Sequence, residues 1–226
     1  MTCKLPITEK YEIKVAKNGS KVPVVNDVHL HSIYDPQREA KQLVERQSDH
    51  WNKKRDVLIF GLGFGYHVQA VIEMLEQKPG SYNIIVIEPN MKVASDCVEL
   101  GLVDTKKVYL CSGYTPQDIY TNRDLIDFLL RKPAMFSHPP SFNLYSDYFK
   151  NMLSYQAPKE LESISRQFQS AELRTLFGSF DQTLSLNEMA QRLSMNHNQK
   201  SEKDFLIMAY HEMVKKSLSL TDEVNK

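Results

Sequence analysis

Short apolar runs alternate with amphipathic segments through the first part of the chain. Residues 57–60 and 84–87 form continuous apolar runs, which are typical of parallel strands buried on both faces. Between these runs, apolar side chains recur at helical spacing over residues 68–75. Two further apolar runs occur at 108–111 and 134–136. This alternation predicts a parallel sheet with helices on both faces.

Three alternating glycines separate the first run from the first amphipathic segment. Residues 56–67 read D-V-L-I-F-G-L-G-F-G-Y-H, so Gly61, Gly63 and Gly65 directly follow the strand. Glycine permits a sharp turn and lets a ligand approach the backbone closely. Glu88 ends the next strand, where such folds bind ribose hydroxyls. The pattern therefore predicts an α/β protein with a Rossmann-like parallel sheet and a nucleotide-type pocket at this loop.

The glycine spacing does not identify a cofactor. The dinucleotide fingerprint G-x-G-x-x-G requires glycine where this chain has Tyr66. The spacing G-x-G-x-G is closer to that of S-adenosylmethionine-dependent methyltransferases, but Ile59 replaces their acidic residue two positions before the first glycine. The Pro-Pro pair after the fourth strand is flanked by His138 and Ser141, so the amide or carboxylate of nucleic-acid amino-methyltransferases is missing. A purely structural role for the glycines and Glu88 stays open.

The two ends of the chain follow other patterns. Residues 11–15 alternate apolar and polar side chains, Asn18-Gly19 follows, and residues 21–25 resume an extended pattern, which predicts an amino-terminal β-hairpin. From about residue 144 the pattern turns helical, with segments predicted at 144–156, 159–177, 184–194 and 201–218. We expect a hairpin and lead-in at 1–35, a Rossmann-like domain at 36–143, and a carboxyl-terminal helical region at 144–226.

Composition limits the partners and the compartment. The 28 basic and 28 acidic residues cancel, which argues against nucleic acid or an anionic membrane as a partner. Cys3, Cys97 and Cys111 are widely spaced and have no metal-binding pattern, as expected for reduced thiols. The amino terminus lacks a signal-peptide pattern, and no apolar run approaches the ~18 residues of a membrane helix. We expect a cytoplasmic protein without a membrane partner.

Candidate binding residues lie around the glycine loop. Tyr66 and His67 begin the following helix, where side chains and N–H groups reach a phosphate or carboxylate. Asn90 follows Glu88 and is expected to cap the next helix beside the same pocket. These residues and the three glycines form the predicted cofactor-binding set, although simple packing roles for Tyr66 and His67 are equally plausible.

A second polar cluster precedes the first helix of the chain. Its members, which form the predicted substrate-binding set, are His31, Ser32, Tyr34 and Asp35. The cluster would face the glycine loop if the hairpin folds over the carboxyl edge of the sheet. For Asp35, helix capping is the better interpretation, because Pro36 follows it directly.

Histidine spacing gives little support for a metal. Nitrogen ligands could in principle come from His29, His31 and His67. However, H-x-H on an extended segment without matching carboxylates is weak support for a metal site. We therefore expect no metal. No G-x-S-x-G elbow, P-loop lysine motif or Cys-His nucleophile pair is evident.

Three motifs in order resemble one protein family. The segments L-H-S-I-Y-D-P-Q-R-E-A at 30–40, F-G-L-G-F-G-Y-H at 60–67 and I-V-I-E-P-N at 85–90 resemble the amino-terminal domain of motility accessory factor proteins. Those proteins are flagellin glycosyltransferases that transfer nonulosonic acids from CMP-activated donors. The resemblance covers about residues 10 to 155 and implies a domain that binds a nucleotide, a nucleotide sugar, or a protein such as flagellin or a glycosylation enzyme.

The resemblance also implies residue roles and a limit on activity. Tyr66 and His67 would contact an anionic group, and Glu88 would accept hydrogen bonds from ribose or sugar hydroxyls. In that family the transferase chemistry is attributed to a following domain with a G-P-S-L-type motif, which this chain lacks. An accessory, non-catalytic domain is therefore the first hypothesis. The alternatives are a methyltransferase that uses S-adenosylmethionine and an interaction scaffold whose carboxyl-terminal helices bind a partner or form a homo-oligomer.

Overall fold

The computed structural model describes residues 9–48, 53–156, 159–166, 168, 170–196 and 201–224. The chain divides into two compact units, Met1–Tyr155 and Gln156–Lys226. The first unit contains all of the strands in the described part of the chain, and the second is helical. No helix within the described ranges is long and apolar enough to cross a membrane.

The first unit begins with the predicted hairpin. Strand β1 (Tyr11–Val15) pairs antiparallel with β2 (Lys21–Val25), and β2 pairs with the short β3 (Val28–His29). Helix α1 (Pro36–Gln47) follows, and Asp35 caps it by accepting the N–H of Arg38. Both the hairpin and the capping role of Asp35 are confirmed.

A four-stranded parallel sheet forms the centre of this unit. Its order is β6-β5-β4-β7, and every neighbouring pair is parallel. The strands are β4 (Asp56–Phe60), β5 (Asn83–Glu88), β6 (Tyr109–Ser112) and β7 (Ala134–Ser137). The prediction of an α/β fold with a Rossmann-like parallel sheet is confirmed.

Helices cover both faces of the sheet. They are α2 (Tyr66–Glu76), α3 (Met91–Glu99), α4 (Pro116–Thr121), α5 (Arg123–Leu130), α6 (Pro139–Leu144) and α7 (Ser146–Leu153). Strand residues alternate between the faces, so Val57 and Ile59 join one apolar core with α2 and α3. Leu58 and Phe60 join a second core on the other face, with Phe149 of α7.

Helix α7 belongs to the first unit. Its Phe149 and Met152 are buried against the sheet, and Tyr145 just before it is buried in the same core. The first unit therefore continues to Tyr155, beyond the predicted end of the Rossmann-like domain at residue 143.

The second unit contains four helices among the residues described. They are α8 (Leu161–Ser165), α9 (Ala171–Gly178), α10 (Leu186–Met195) and α11 (Glu202–Val224). The prediction of one helix over 159–177 is wrong: α8 ends at Ser165, and α9 starts anew with Ser170 as its cap. The Ser170 side chain accepts the N–H of Leu173. Such local capping competes with helix continuation, which apolar spacing alone does not show.

Candidate functional site

The glycine loop lies at the carboxyl end of the parallel sheet, between β4 and α2. Gly61, Gly63 and Gly65 all have positive φ angles, and Gly65 is the residue before the first turn of α2. Close neighbours also exclude a side chain here: a Cβ on Gly61 would lie 2.3 Å from Cβ of Ser141. The loop therefore needs glycine for its backbone conformation and for its packing.

Glu88 lies beside this loop and is fully buried. Its Oε2 accepts the N–H of Leu62 at 2.7 Å, and its Oε1 accepts the N–H of Asn90 at 2.9 Å. Burial raises the pKa of this carboxyl to about 7, although the backbone donors favour its charged form. Both oxygens of Glu88 thus accept hydrogen bonds from the backbone of this chain, and the ribose-binding role of Glu88 stays a prediction.

Asn90 has the capping role that the sequence predicts. Its side-chain oxygen accepts the N–H groups of Lys92 and Val93 in the first turn of α3. Its amide nitrogen donates to Oε2 of Glu9 at 2.6 Å and to the hydroxyl of Tyr145 at 2.8 Å. The side chain of Asn90 therefore joins three segments of the first unit.

His31 brings the amino-terminal lead-in onto the glycine loop. Its Nε2 accepts the N–H of Phe64 at 3.0 Å, and a Cβ on Gly63 would lie 2.5 Å from this nitrogen. Of the predicted substrate-binding set, it is His31 that the structure places on the loop. Ser32 Oγ accepts the N–H of Tyr34, and Tyr34 itself is exposed.

His31 belongs to a buried cluster with His67 and His138. The rings of His67 and His138 stack with centroids 4.2 Å apart, and the centroids of His31 and His138 are 4.6 Å apart. One nitrogen from each ring lies within 4.8 Å of the other two. His29, which the sequence paired with His31, does not belong to this cluster.

Burial favours the neutral form of all three histidines of the cluster. Burial lowers the pKa of His31 and His138 and lowers that of His67 to about 3. His67 is therefore an uncharged core side chain. If it contacts an anionic group as predicted, it contacts that group as a neutral imidazole. The predicted site does not include His138, because the sequence does not show that β7, which His138 directly follows, lies beside β4.

Tyr66 lies at the edge of this region and lines a groove instead. Its hydroxyl donates to the carbonyl of Lys21 at 2.7 Å. The groove has a volume of about 480 Å³ and lies between α1, α2 and the turn after α3. Its other lining residues are Gln37, Lys41, Gln69, Ala70, Glu73, Gly101 and Leu102.

Comparison with known proteins finds solved structures that have a fold similar to that of this chain. No protein-family model matches the chain, and no curated protein matches it. Similar solved structures include MNMC2 from Aquifex aeolicus, with 18% identity over 53% of this chain and 47% of that chain and a TM-score of 0.34. Spermidine synthase from Thermotoga maritima shares 12% identity over 64% and 50%, with a TM-score of 0.42. A putative O-methyltransferase from Klebsiella pneumoniae shares 15% identity over 71% and 69%, with a TM-score of 0.29.

This chain covers half or less of the first two of these structures. At such low identity the similarity concerns the α/β fold alone.

Proposed function

We propose that this chain is a Rossmann-like recognition module of the flagellin-glycosylation type and does not catalyse a reaction by itself. The observation that supports this proposal is the internal closure of the glycine loop. The N–H groups of Leu62 and Phe64, at the place where related loops bind phosphate, donate to Glu88 and His31. A nucleotide at this loop would have to displace both side chains.

The ligand then binds in the groove beside α2 rather than on the loop. Its volume of about 480 Å³ suits a small molecule. Gln37 and Gln69 supply amide donors and acceptors, and Tyr66 supplies an aromatic ring. An ion pair between Lys41 and Glu73, 3.3 Å apart, adds charge at the surface. This chemistry suits a hydroxylated ligand such as a sugar or a nucleotide sugar.

In this role the chain would hold a sugar donor or acceptor for a separate enzyme. The transferase chemistry would come from that partner, and flagellin or a glycosylation enzyme is the partner that the motif resemblance suggests. The cancelling charges of the chain suit such a protein partner better than a nucleic acid.

Thermal unfolding with a ligand panel tests the proposal. The panel contains CMP, a CMP-nonulosonic acid, S-adenosylmethionine, S-adenosylhomocysteine and NAD. A ligand at ~100 times its dissociation constant stabilises the folded state by about 2.7 kcal/mol. We expect a shift with the CMP-activated sugar that Gln69→Ala removes. Gln77→Ala, a change of the same type outside the groove at the residue directly after the same helix, should retain it.

Two outcomes would count against the proposal. A shift with the CMP-activated sugar that survives Gln69→Ala would place the ligand elsewhere. No shift in thermal unfolding with any ligand of the panel would favour the scaffold hypothesis, in which the helices of the chain bind a protein or a second copy.

The second candidate function is that of a methyltransferase using S-adenosylmethionine. One observation favours it: the carboxylate of Glu88 lies at the end of β5 in direct contact with the glycine loop, where a ribose would be bound. This function requires the ribose hydroxyls to replace the N–H of Leu62 on Glu88. It predicts a shift with S-adenosylmethionine that Glu88→Gln abolishes and Gln69→Ala leaves unchanged.

A further inference from the structure

The histidine cluster joins three parts of the first unit. His31 comes from the segment after β3, His67 from the first turn of α2, and His138 from the end of β7. All three are buried, and one nitrogen from each ring lies within 4.8 Å of the other two. We propose that these three imidazoles form a binding site for a divalent transition metal of the zinc type. The proposal is independent of what binds in the groove.

The outer nitrogen of each ring already has a partner. Nε2 of His67 donates to the carbonyl of Gly61 at 2.9 Å. Nδ1 of His138 lies 2.8 Å from Oγ of Ser141. Nδ1 of His31 faces Oε2 of Glu39 at 3.8 Å. A carbonyl, a hydroxyl and a carboxylate are the groups that orient metal-binding histidines from outside, and they direct the second nitrogen of each ring toward the metal.

Two of the three inner nitrogens carry the lone pair that a metal needs. Because Nε2 of His67 donates its proton to Gly61, Nδ1 of His67 is the unprotonated nitrogen. This Nδ1 is buried and makes no hydrogen bond, and it is alone in this among the side-chain atoms of the described residues. A buried acceptor without a partner is costly, and a metal bond would offset that cost. Nε2 of His31 is also unprotonated, because it accepts the N–H of Phe64. The ring of His138 also makes a hydrogen bond with the backbone of Leu30, so it supplies a lone pair to a metal in the tautomer protonated at Nδ1, toward Ser141.

The donor set indicates the class of metal. Imidazole nitrogens suit zinc, copper, nickel and iron, whereas calcium and magnesium require oxygen ligands. Three histidines leave one coordination position for a small ligand such as water, as in zinc sites of the catalytic type.

Binding requires a small local rearrangement. Nitrogens bound to one tetrahedral zinc are about 3.4 Å apart, so the rings must approach one another by about 1 Å from the 4.8 Å limit of the cluster. Coordination by His31 would also replace its hydrogen bond from Phe64. A metal would therefore release one N–H of the glycine loop while it clamps the lead-in, the loop and β7 together.

Titration of the whole chain with Zn²⁺ and Co²⁺ tests the site. We expect one equivalent of metal per chain, a rise in Tm with Zn²⁺ and a ligand-field absorption band with Co²⁺. His67→Gln retains a donor for Gly61, and His138→Asn retains a polar atom for Ser141, but each removes the inner nitrogen. Each variant should lose at least about 100-fold in metal affinity. His29→Ala, outside the cluster, should bind as the wild type does.

Either of two results would overturn the proposal. The first is a wild-type chain that takes up no Zn²⁺ or Co²⁺, and the second is unchanged affinity in folded His67→Gln and His138→Asn. If the two variants do not fold, X-ray absorption of the zinc-loaded wild type decides instead. Three imidazole nitrogens at about 2.0 Å would support the site, whereas oxygen ligands alone would refute it.

Discussion

The carboxylate of Glu88 accepts a hydrogen bond from the backbone N–H of Leu62 across 2.7 Å. This bond joins the end of β5 to the glycine loop that follows β4. The other oxygen of Glu88 accepts the N–H of Asn90, so one buried side chain fixes two turns at the carboxyl edge of the sheet. The conformation of the loop therefore depends on a carboxyl whose pKa burial raises to about 7.

Replacing Glu88 by glutamine should change stability in a pH-dependent way. Between pH 4.5 and about 7 the folded wild type holds a proton on Glu88 that the unfolded chain has released. The stability that this carboxyl contributes to the wild type is therefore complete below pH 4.5 and is lost as the pH rises to about 7. The glutamine in Glu88→Gln cannot titrate. The deficit of this variant in unfolding free energy, relative to the wild type, should therefore shrink by up to ~3 kcal/mol as the pH rises across this interval.

Urea unfolding of both proteins at several pH values between 4.5 and 7.5 measures this difference. Comparison at each pH cancels the titration of groups that the two proteins share. A difference in unfolding free energy that stays constant over the whole interval would mean that Glu88 is ionised throughout, and would contradict the prediction.

Two glycine substitutions separate backbone strain from packing. Gly63 and Gly101 both have positive φ angles, but a Cβ on Gly101 would meet no atom within 4 Å, whereas a Cβ on Gly63 would strike His31. Gly101→Ala should therefore cost about 1–2 kcal/mol from the backbone alone. Gly63→Ala should cost about 1–3 kcal/mol more, because His31 has to move. Equal losses in denaturant unfolding would show that the close packing of His31 is unimportant.

The elements of the first unit were largely predictable because their signals are local. The alternating sequence of β1, the apolar run of β4 and the capping by Asp35 each depend on a few neighbouring residues. The glycine loop is predictable in the same way. Its φ angles follow from the residue type and from its place between a strand and a helix.

The histidine cluster could not be found in this way. His31, His67 and His138 meet only because β7 lies beside β4 and the lead-in folds over the carboxyl edge of the sheet. The sequence shows that strands exist but not their order. It therefore indicates His29, the histidine nearest to His31 in sequence, in place of His138. The closure of the loop by Glu88 is hidden for the same reason, because it depends on β5 lying beside β4.

The position of α7 predicts where the first unit can be cut. Phe149 and Met152 are buried against Leu58 and Phe60 on one face of the sheet. A chain truncated after Tyr155 should therefore unfold cooperatively. A chain truncated after residue 143 exposes that face and should lose most of its cooperative transition. Circular dichroism during thermal unfolding distinguishes the two, and similar transitions would mean that α7 does not stabilise the sheet.

A hydrogen bond between the hairpin and α3 provides the last prediction. The hydroxyl of Tyr11 on β1 donates to Oδ2 of Asp96 at 2.6 Å, and Nζ of Lys92 contacts Oδ1 at the same distance. Burial opposes the charge on Asp96, but these two donors outweigh it and lower the pKa of the carboxyl. Tyr11→Phe removes one donor and leaves the ring in place. It should destabilise the chain by about 1.5–3 kcal/mol at neutral pH, as for other hydrogen bonds to charged groups.

The pH dependence of that loss identifies its cause. Because the folded-state pKa of Asp96 is lowered, the stability it contributes is present above pH 3.8 and is lost as the pH falls through the folded-state value. The difference in unfolding free energy between the wild type and Tyr11→Phe should therefore become smaller at acidic pH. Tyr34→Phe, at an exposed tyrosine, is the matched control and should change stability by less than about 0.5 kcal/mol. If both variants lose the same amount at every pH, the bond to Asp96 does not hold the hairpin on α3.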